Sequence, residues 1–141
     1  MRCLDANIWV YYFDQTLEEH AAVTPAVRHV LGSEPIFVPT VLQMEVVHYL
    51  EGQLSESRAS TNRFLSLEDV VTAELTAADV ERATEHLQTH PHVGIGGRDA
   101  TVLAAMERFD VAELWTHDGG LQRIGDELDW LRVFDPVEED V

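Results

Sequence analysis

No lysine occurs among the 141 residues, and cysteine appears once, as Cys3. A lone cysteine excludes an internal disulfide and a thiolate metal cage, and it points to a reducing intracellular compartment. Cys3 sits in an apolar run, where a small buried hydrophobe is a better reading than a nucleophile. Without lysine there is no Gly-Lys-Ser/Thr phosphate loop. Long apolar runs are missing too: none approaches the roughly 20 residues that cross a bilayer. The N-terminal residues lack a basic stretch followed by a long apolar one, so a soluble, cytoplasmic protein with no membrane partner is expected.

Positive charge is scarce. Nine residues, all Arg, face 26 Asp and Glu, for a formal net charge of −17. The acids are spread along the chain rather than gathered in a tail, which predicts an acidic surface. Such a surface suits a salty cytoplasm, where screening shortens the reach of like-charge repulsion, and a halophilic source is the expectation. The same balance disfavours phosphate binding through a broad basic patch. It leaves open phosphate contacts made by metal ions or by a few placed Arg.

What is present alternates. Short apolar runs at "RCL" (2–4), "IFVP" (36–39), "VVTAEL" (70–75), "ELWT" (113–116) and "WLRV" (130–133) read as strands. Helical periodicity fills 8–13, 17–31 with a possible restart at Thr24 and Pro25, 40–50, 55–65, 76–87 and 98–109. "TAAD" at 76–79 has the Thr-x-x-acid form of a helix start. Strands separated by helices predict an α/β fold, a parallel sheet of about five strands flanked by helices. No repeat or long linker interrupts the pattern, so residues 1–135 read as a single domain and 136–141, "PVEEDV", as an acidic tail prone to fray.

In such a sheet the carboxyl ends of the strands share one edge, the usual ligand side. Asp5 ends the first strand, Asp118 follows the fourth, Glu45 lies early in the helix from Thr40, and Asp99 lies in the first turn of its helix. Asp99 shares a stripe with Val102, Leu103 and Met106, and Glu45 shares one with Val41, Leu42 and Tyr49. Inward-facing carboxylates need a counter-charge, and an all-oxygen donor set favours Mg²⁺ or Mn²⁺. Taken singly each acid has an ordinary alternative: Asp118 as the opener of a turn with Gly119 and Gly120, Asp99 as a partner of the helix dipole.

The segments "LDANIWVYYF", "VPTVLQMEVVHYL" and "GGRDATVLAAMERFDVAELWTHDGGLQRI" resemble the PIN-domain ribonucleases, particularly the VapC-like toxins of toxin–antitoxin pairs. The resemblance spans nearly the whole chain. It rests on Asp-x-Asn after the first strand, a Glu in the third helix, Asp-Ala opening a later helix, and Thr-x-Asp after the next strand. It implies a PIN-like fold, metal binding by the catalytic acids Asp5, Glu45, Asp99 and Asp118 with Asn7 and Thr116 in support, and Mg²⁺- or Mn²⁺-dependent hydrolysis of RNA. It further implies a cognate antitoxin and a homodimer. A non-catalytic PIN-like module that only binds a protein or RNA partner is the alternative.

Other features carry two readings each. Arg98 reads as a phosphate contact or as a surface ion pair. His86, His90 and His92 read as a transition-metal site or, preferably, as structural residues at a helix end. Trp9, Tyr11 and Tyr12 read as a base-stacking platform or, preferably, as packing or dimer contacts. Response receivers and haloacid-dehalogenase-like phosphatases share an Asp after the first strand, but both use a lysine that this chain lacks.

Overall fold

In a computed structural model, which describes residues 1–139, the chain forms five strands and seven helices. They are β1 (Arg2–Leu4), α1 (Ala6–Phe13), α2 (His20–Leu31), β2 (Ile36–Pro39), α3 (Thr40–Gln53), α4 (Ser57–Leu65), β3 (Val70–Ala73), α5 (Ala77–Thr89), α6 (Gly97–Arg108), β4 (Glu113–Trp115), α7 (Gly119–Gly125) and β5 (Arg132–Phe134). The strands pair in parallel, as the alternating pattern predicts, and their order is β3-β2-β1-β4-β5.

A parallel sheet must be covered on both faces, so its central strands are apolar on both sides. Cys3 and Leu4 of β1 and all four residues of β2 are buried accordingly. Burial pushes the Cys3 thiol well above its ordinary range, which fits a packing residue. Trp9 is buried against Phe13 and Phe64, which settles it as core, while Tyr12 packs edge-on against Phe13.

The chain first winds outward from β1 through β2 to β3, then crosses back to place β4 on the other side of β1. Right-handed crossovers in opposite directions send α1–α4 and α5–α7 to opposite faces. The reversal opens a crevice at the carboxyl ends of β1 and β4, where ligands bind in sheets of this kind. A contact between α3 and α6 closes the crevice from the side.

The helix starts follow local chemistry. Thr76 and Asp79 form the reciprocal capping box that "TAAD" predicts. Asp79 also accepts two hydrogen bonds from Arg108, at 3.0 and 2.9 Å, tying the start of α5 to the end of α6. That pairing holds the Asp79 carboxyl below its usual value. α2 begins at His20 and carries Pro25 within it, so the restart expected near Thr24 does not occur. β3 stops at Ala73, leaving Leu75 exposed, and Trp130 lies in a turn before β5 rather than in the strand.

The sequence reading contains no helix at 119–125, because two glycines open it and the stretch is short. Asp118 supplies the missing start signal as an N-cap, accepting from Leu121 N at 3.0 Å. Of the tail, Pro136 is buried and Val137 N donates to Asp135 Oδ1 at 3.0 Å, while 140 and 141 lie outside the described residues. Among the described residues no helix is long and apolar enough to cross a membrane.

Gly125 ends α7 directly over β5. A Cβ there would lie 2.6 Å from Val133 Cγ2. Gly125→Ala is therefore expected to lower stability by about 1–3 kcal/mol through overpacking. Adding Val133→Ala should recover part of that loss, which urea unfolding of the two single variants and the double variant will measure.

Candidate metal centre

The crevice is built around Asp5. Its backbone N–H continues the sheet by donating to Trp115 O at 2.8 Å, and its side chain caps α1, accepting from Ala6 N at 2.9 Å through Oδ1. The other carboxylate oxygen accepts from the Thr116 hydroxyl at 2.7 Å. Thr116 is fully buried, and its Oγ1 also accepts from Asp118 N at 3.0 Å. Asn7 joins at longer range, with Nδ2 3.5 Å from Thr116 Oγ1 and Oδ1 3.4 Å from His117 N. One hydroxyl thus links the ends of β1 and β4.

From the side come Glu45 on α3 and Asp99 on α6. Asp99 is buried in the first turn of α6, as its apolar stripe predicts. Arg98 stands between the two acids: Nη2 donates to Asp99 Oδ1 at 2.6 Å, and Nη1 contacts Glu45 Oε2. The second Glu45 oxygen, Oε1, is buried without a hydrogen-bond partner. Such an atom costs free energy unless another group satisfies it.

The electrostatics follow from this crowding. The Asp5 carboxyl is raised above its ordinary value, first by burial and also by the nearby Asp99 charge; the Thr116 and Ala6 hydrogen bonds and Arg98 pull it back. Asp118 is exposed at the rim, with one oxygen committed to the cap of α7. Gly120 keeps that rim tight, since a Cβ there would lie 3.1 Å from both Asp118 Oδ2 and Gly94 O.

The structure therefore gathers Asp5, Glu45, Asp99 and Arg98 at one place and joins Asp118 to them through Thr116. Among the described residues no three His, Cys, Asp or Glu side chains stand in an arrangement that could hold a metal ion. A guanidinium, that of Arg98, contacts both Glu45 and Asp99. The donor set nonetheless fits a hard cation, being all oxygen, with one Glu45 oxygen unsatisfied.

Two partners escaped the sequence reading. Asp135 is buried and accepts from Gln122 Nε2 at 2.9 Å, and His117 Nδ1 lies 2.7 Å from the same oxygen. This cluster, with Tyr11 packed edge-on against His117, braces the loop after β4. Nothing in the local spacing of Asp135 marks it, since its partners lie 13 and 18 residues away. The three histidines separate as structural residues. His86 is buried against Glu107, whereas His90 and His92 both contact the Glu127 carboxylate.

A family model described as PIN domain matches residues 2–127. In structure the chain is similar to a sarcin-ricin-loop-cleaving toxin, VapC20 of Mycobacterium tuberculosis, with a TM-score of 0.75, 18% identity, and coverage of 89% of this chain and 95% of that one. It is similar to VapBC2 of Rickettsia felis bound to a promoter DNA fragment, with a TM-score of 0.71, 15% identity and coverage of 95% and 97%. VapBC-1 of nontypeable Haemophilus influenzae gives 0.64 at 20% identity, with coverage of 96% and 97%. At these identities the likeness is one of fold. No curated protein matches the chain in sequence.

The raised Asp5 carboxyl sets a direction for stability. Between the unfolded and folded titration points the native state binds more protons, so stability falls as pH rises through that window, and above it the loss is complete and constant. Asp5→Asn keeps the Oδ1 acceptor for Ala6 N and removes the charge. Its melting temperature at pH 7 should equal or exceed that of the wild type, which thermal melts of the two proteins check.

Proposed function

The chain belongs to the PIN domain family, and from that premise we propose that it is a metal-dependent endoribonuclease of the VapC-like toxin kind, working in the cytoplasm. The observation that carries the reading is the convergence of acids from distant segments on the β1/β4 crevice, with a buried Glu45 oxygen left unpartnered. Asp5, Glu45, Asp99 and Asp118 are the residues assigned to hold Mg²⁺ or Mn²⁺. When bound, such a cation supplies an activated water and stabilises charge on the leaving oxygen of the phosphodiester.

The chain's own residues do the rest. Thr116 fixes the rotamer of Asp5 by donating its hydroxyl, and Asn7 steadies the turn carrying Asp118. Asp135 and Gln122 anchor the same turn from below. Arg98 is half-exposed at the mouth and is assigned a contact to a substrate phosphate. Single-stranded or looped RNA, whose strand can be splayed, suits a site at the edge of the sheet better than a duplex. By analogy with the sarcin-ricin-loop-cleaving VapC20, and with the toxin–antitoxin pairing of VapC-like proteins, a looped RNA and an antitoxin are proposed as partners here.

Purified protein should cleave RNA with added Mg²⁺ or Mn²⁺ and stop with a chelator. Glu45→Gln, Asp99→Asn and Asp118→Asn should each lower the rate by at least about a hundredfold while leaving the fold intact by circular dichroism. A folded protein inert under all these conditions would favour the non-catalytic binding module. Because few Arg are available for phosphate, cleavage should persist as KCl rises, while screening of the −17 charge raises the melting temperature. A single KCl series at fixed Mn²⁺ reads both.

The homodimer is proposed on family grounds, with exposed Met44 and Leu65 offering apolar surface on or next to α3 and α4. Sedimentation in high salt should give twice the chain mass at micromolar concentration.

A further inference from the structure

Arg98 is engaged by two of the acids assigned to the cation. Its guanidinium bonds Asp99 Oδ1 and contacts Glu45 Oε2. A divalent cation drawing on Glu45 and Asp99 draws on the same two carboxylates. We propose that Arg98 is a built-in counter-ion that competes with the divalent cation for Glu45 and Asp99, so that the site accepts the cation only when the guanidinium swings out; this rests on the metal-dependent reading above.

Three features support the proposal. The chain has no lysine, and no second guanidinium forms an ion pair with either acid among the described residues. Arg98 is held at its base by the first turn of α6, yet its side chain is 43% exposed, so the head can leave without disturbing the core. Glu45 already keeps Oε1 buried and unpartnered beside the guanidinium, which means that Arg98 satisfies only half of that carboxylate. A cation that takes both acids would leave the half-exposed Arg98 head free of them. Phosphate contact by Arg98 thus becomes conditional on cation occupancy.

Competition has a measurable signature. If the cation-accepting form is a minor fraction of the molecules, the apparent affinity is reduced by that fraction. Arg98→Gln keeps the length and polarity of the stem, removes the competing charge and should bind Mn²⁺ about fivefold or more tightly than the wild type. Removing any positive charge from so acidic a chain strengthens cation binding somewhat, so Arg28→Gln serves as control. Arg28 is exposed near the end of α2, which leads to the start of β2 and therefore lies at the opposite edge of the sheet.

The full-length chain is titrated with Mn²⁺ alone, by calorimetry and by loss of the free-ion electron paramagnetic resonance signal. Tighter binding in Arg98→Gln, well beyond any gain in Arg28→Gln, is the expected result. Equal or weaker binding in Arg98→Gln than in the control, with the wild type still binding, overturns the competition and leaves the metal centre standing. No binding by any of the three at millimolar Mn²⁺ overturns the competition together with the metal-dependent reading. Should Arg98→Gln melt early, Arg98→Lys provides the second test: it keeps a charge but loses the two-pronged reach, and should fall between Arg98→Gln and the wild type.

Discussion

A carboxylate buried at the end of the central strand is the constraint on which the rest of this structure depends. Ionised Asp5 in that position is costly unless its oxygens are satisfied, and the surrounding elements are arranged to do so. One oxygen starts α1 and the other holds Thr116, so the charge is placed where it also fixes the mutual position of β1 and β4. The reversal of strand order puts that pair at the crevice. The topology and the chemistry of the site therefore meet in one residue.

The second organising fact is the shortage of positive charge. With nine Arg against 26 acids, each guanidinium has many partners to choose from, and those that are placed carry structural weight. Arg108 closes the α5–α6 pair on buried Asp79, while Arg98 stands between Glu45 and Asp99. The first is a bidentate bond that holds secondary structure together; the second lies at an open mouth and can be exchanged. Burial decides between them: Asp79 is 2% exposed, whereas Glu45 keeps a third of its side chain in contact with solvent.

Much of the fold was legible because its signals are local. Five apolar runs, the Thr76 capping box and the stripe beneath Asp99 depend on neighbours within a turn or two, and each appears at or within about two residues of where periodicity places it. α7 was not legible, because two glycines open it and the stretch is short, although its Asp118 cap is local. The His86 and His90 pair shows the opposite error that spacing invites. One helical turn apart, they face different acids on different elements, Glu107 and Glu127.

By itself the sequence determined the alternation of strands and helices, the inward faces of Asp99 and Glu45, and the absence of lysine, since each of these is a property of a short window or of composition. The tertiary structure alone decided that Arg98 lies between Glu45 and Asp99, that Thr116 bridges Asp5 and Asp118, and that Asp135 secures His117. These contacts join residues as many as 111 positions apart. No local pattern encodes the long-range members, Arg98 with Glu45, Thr116 with Asp5 and Asp135 with His117, because their geometry comes from strand order and helix packing, which only the folded chain as a whole sets.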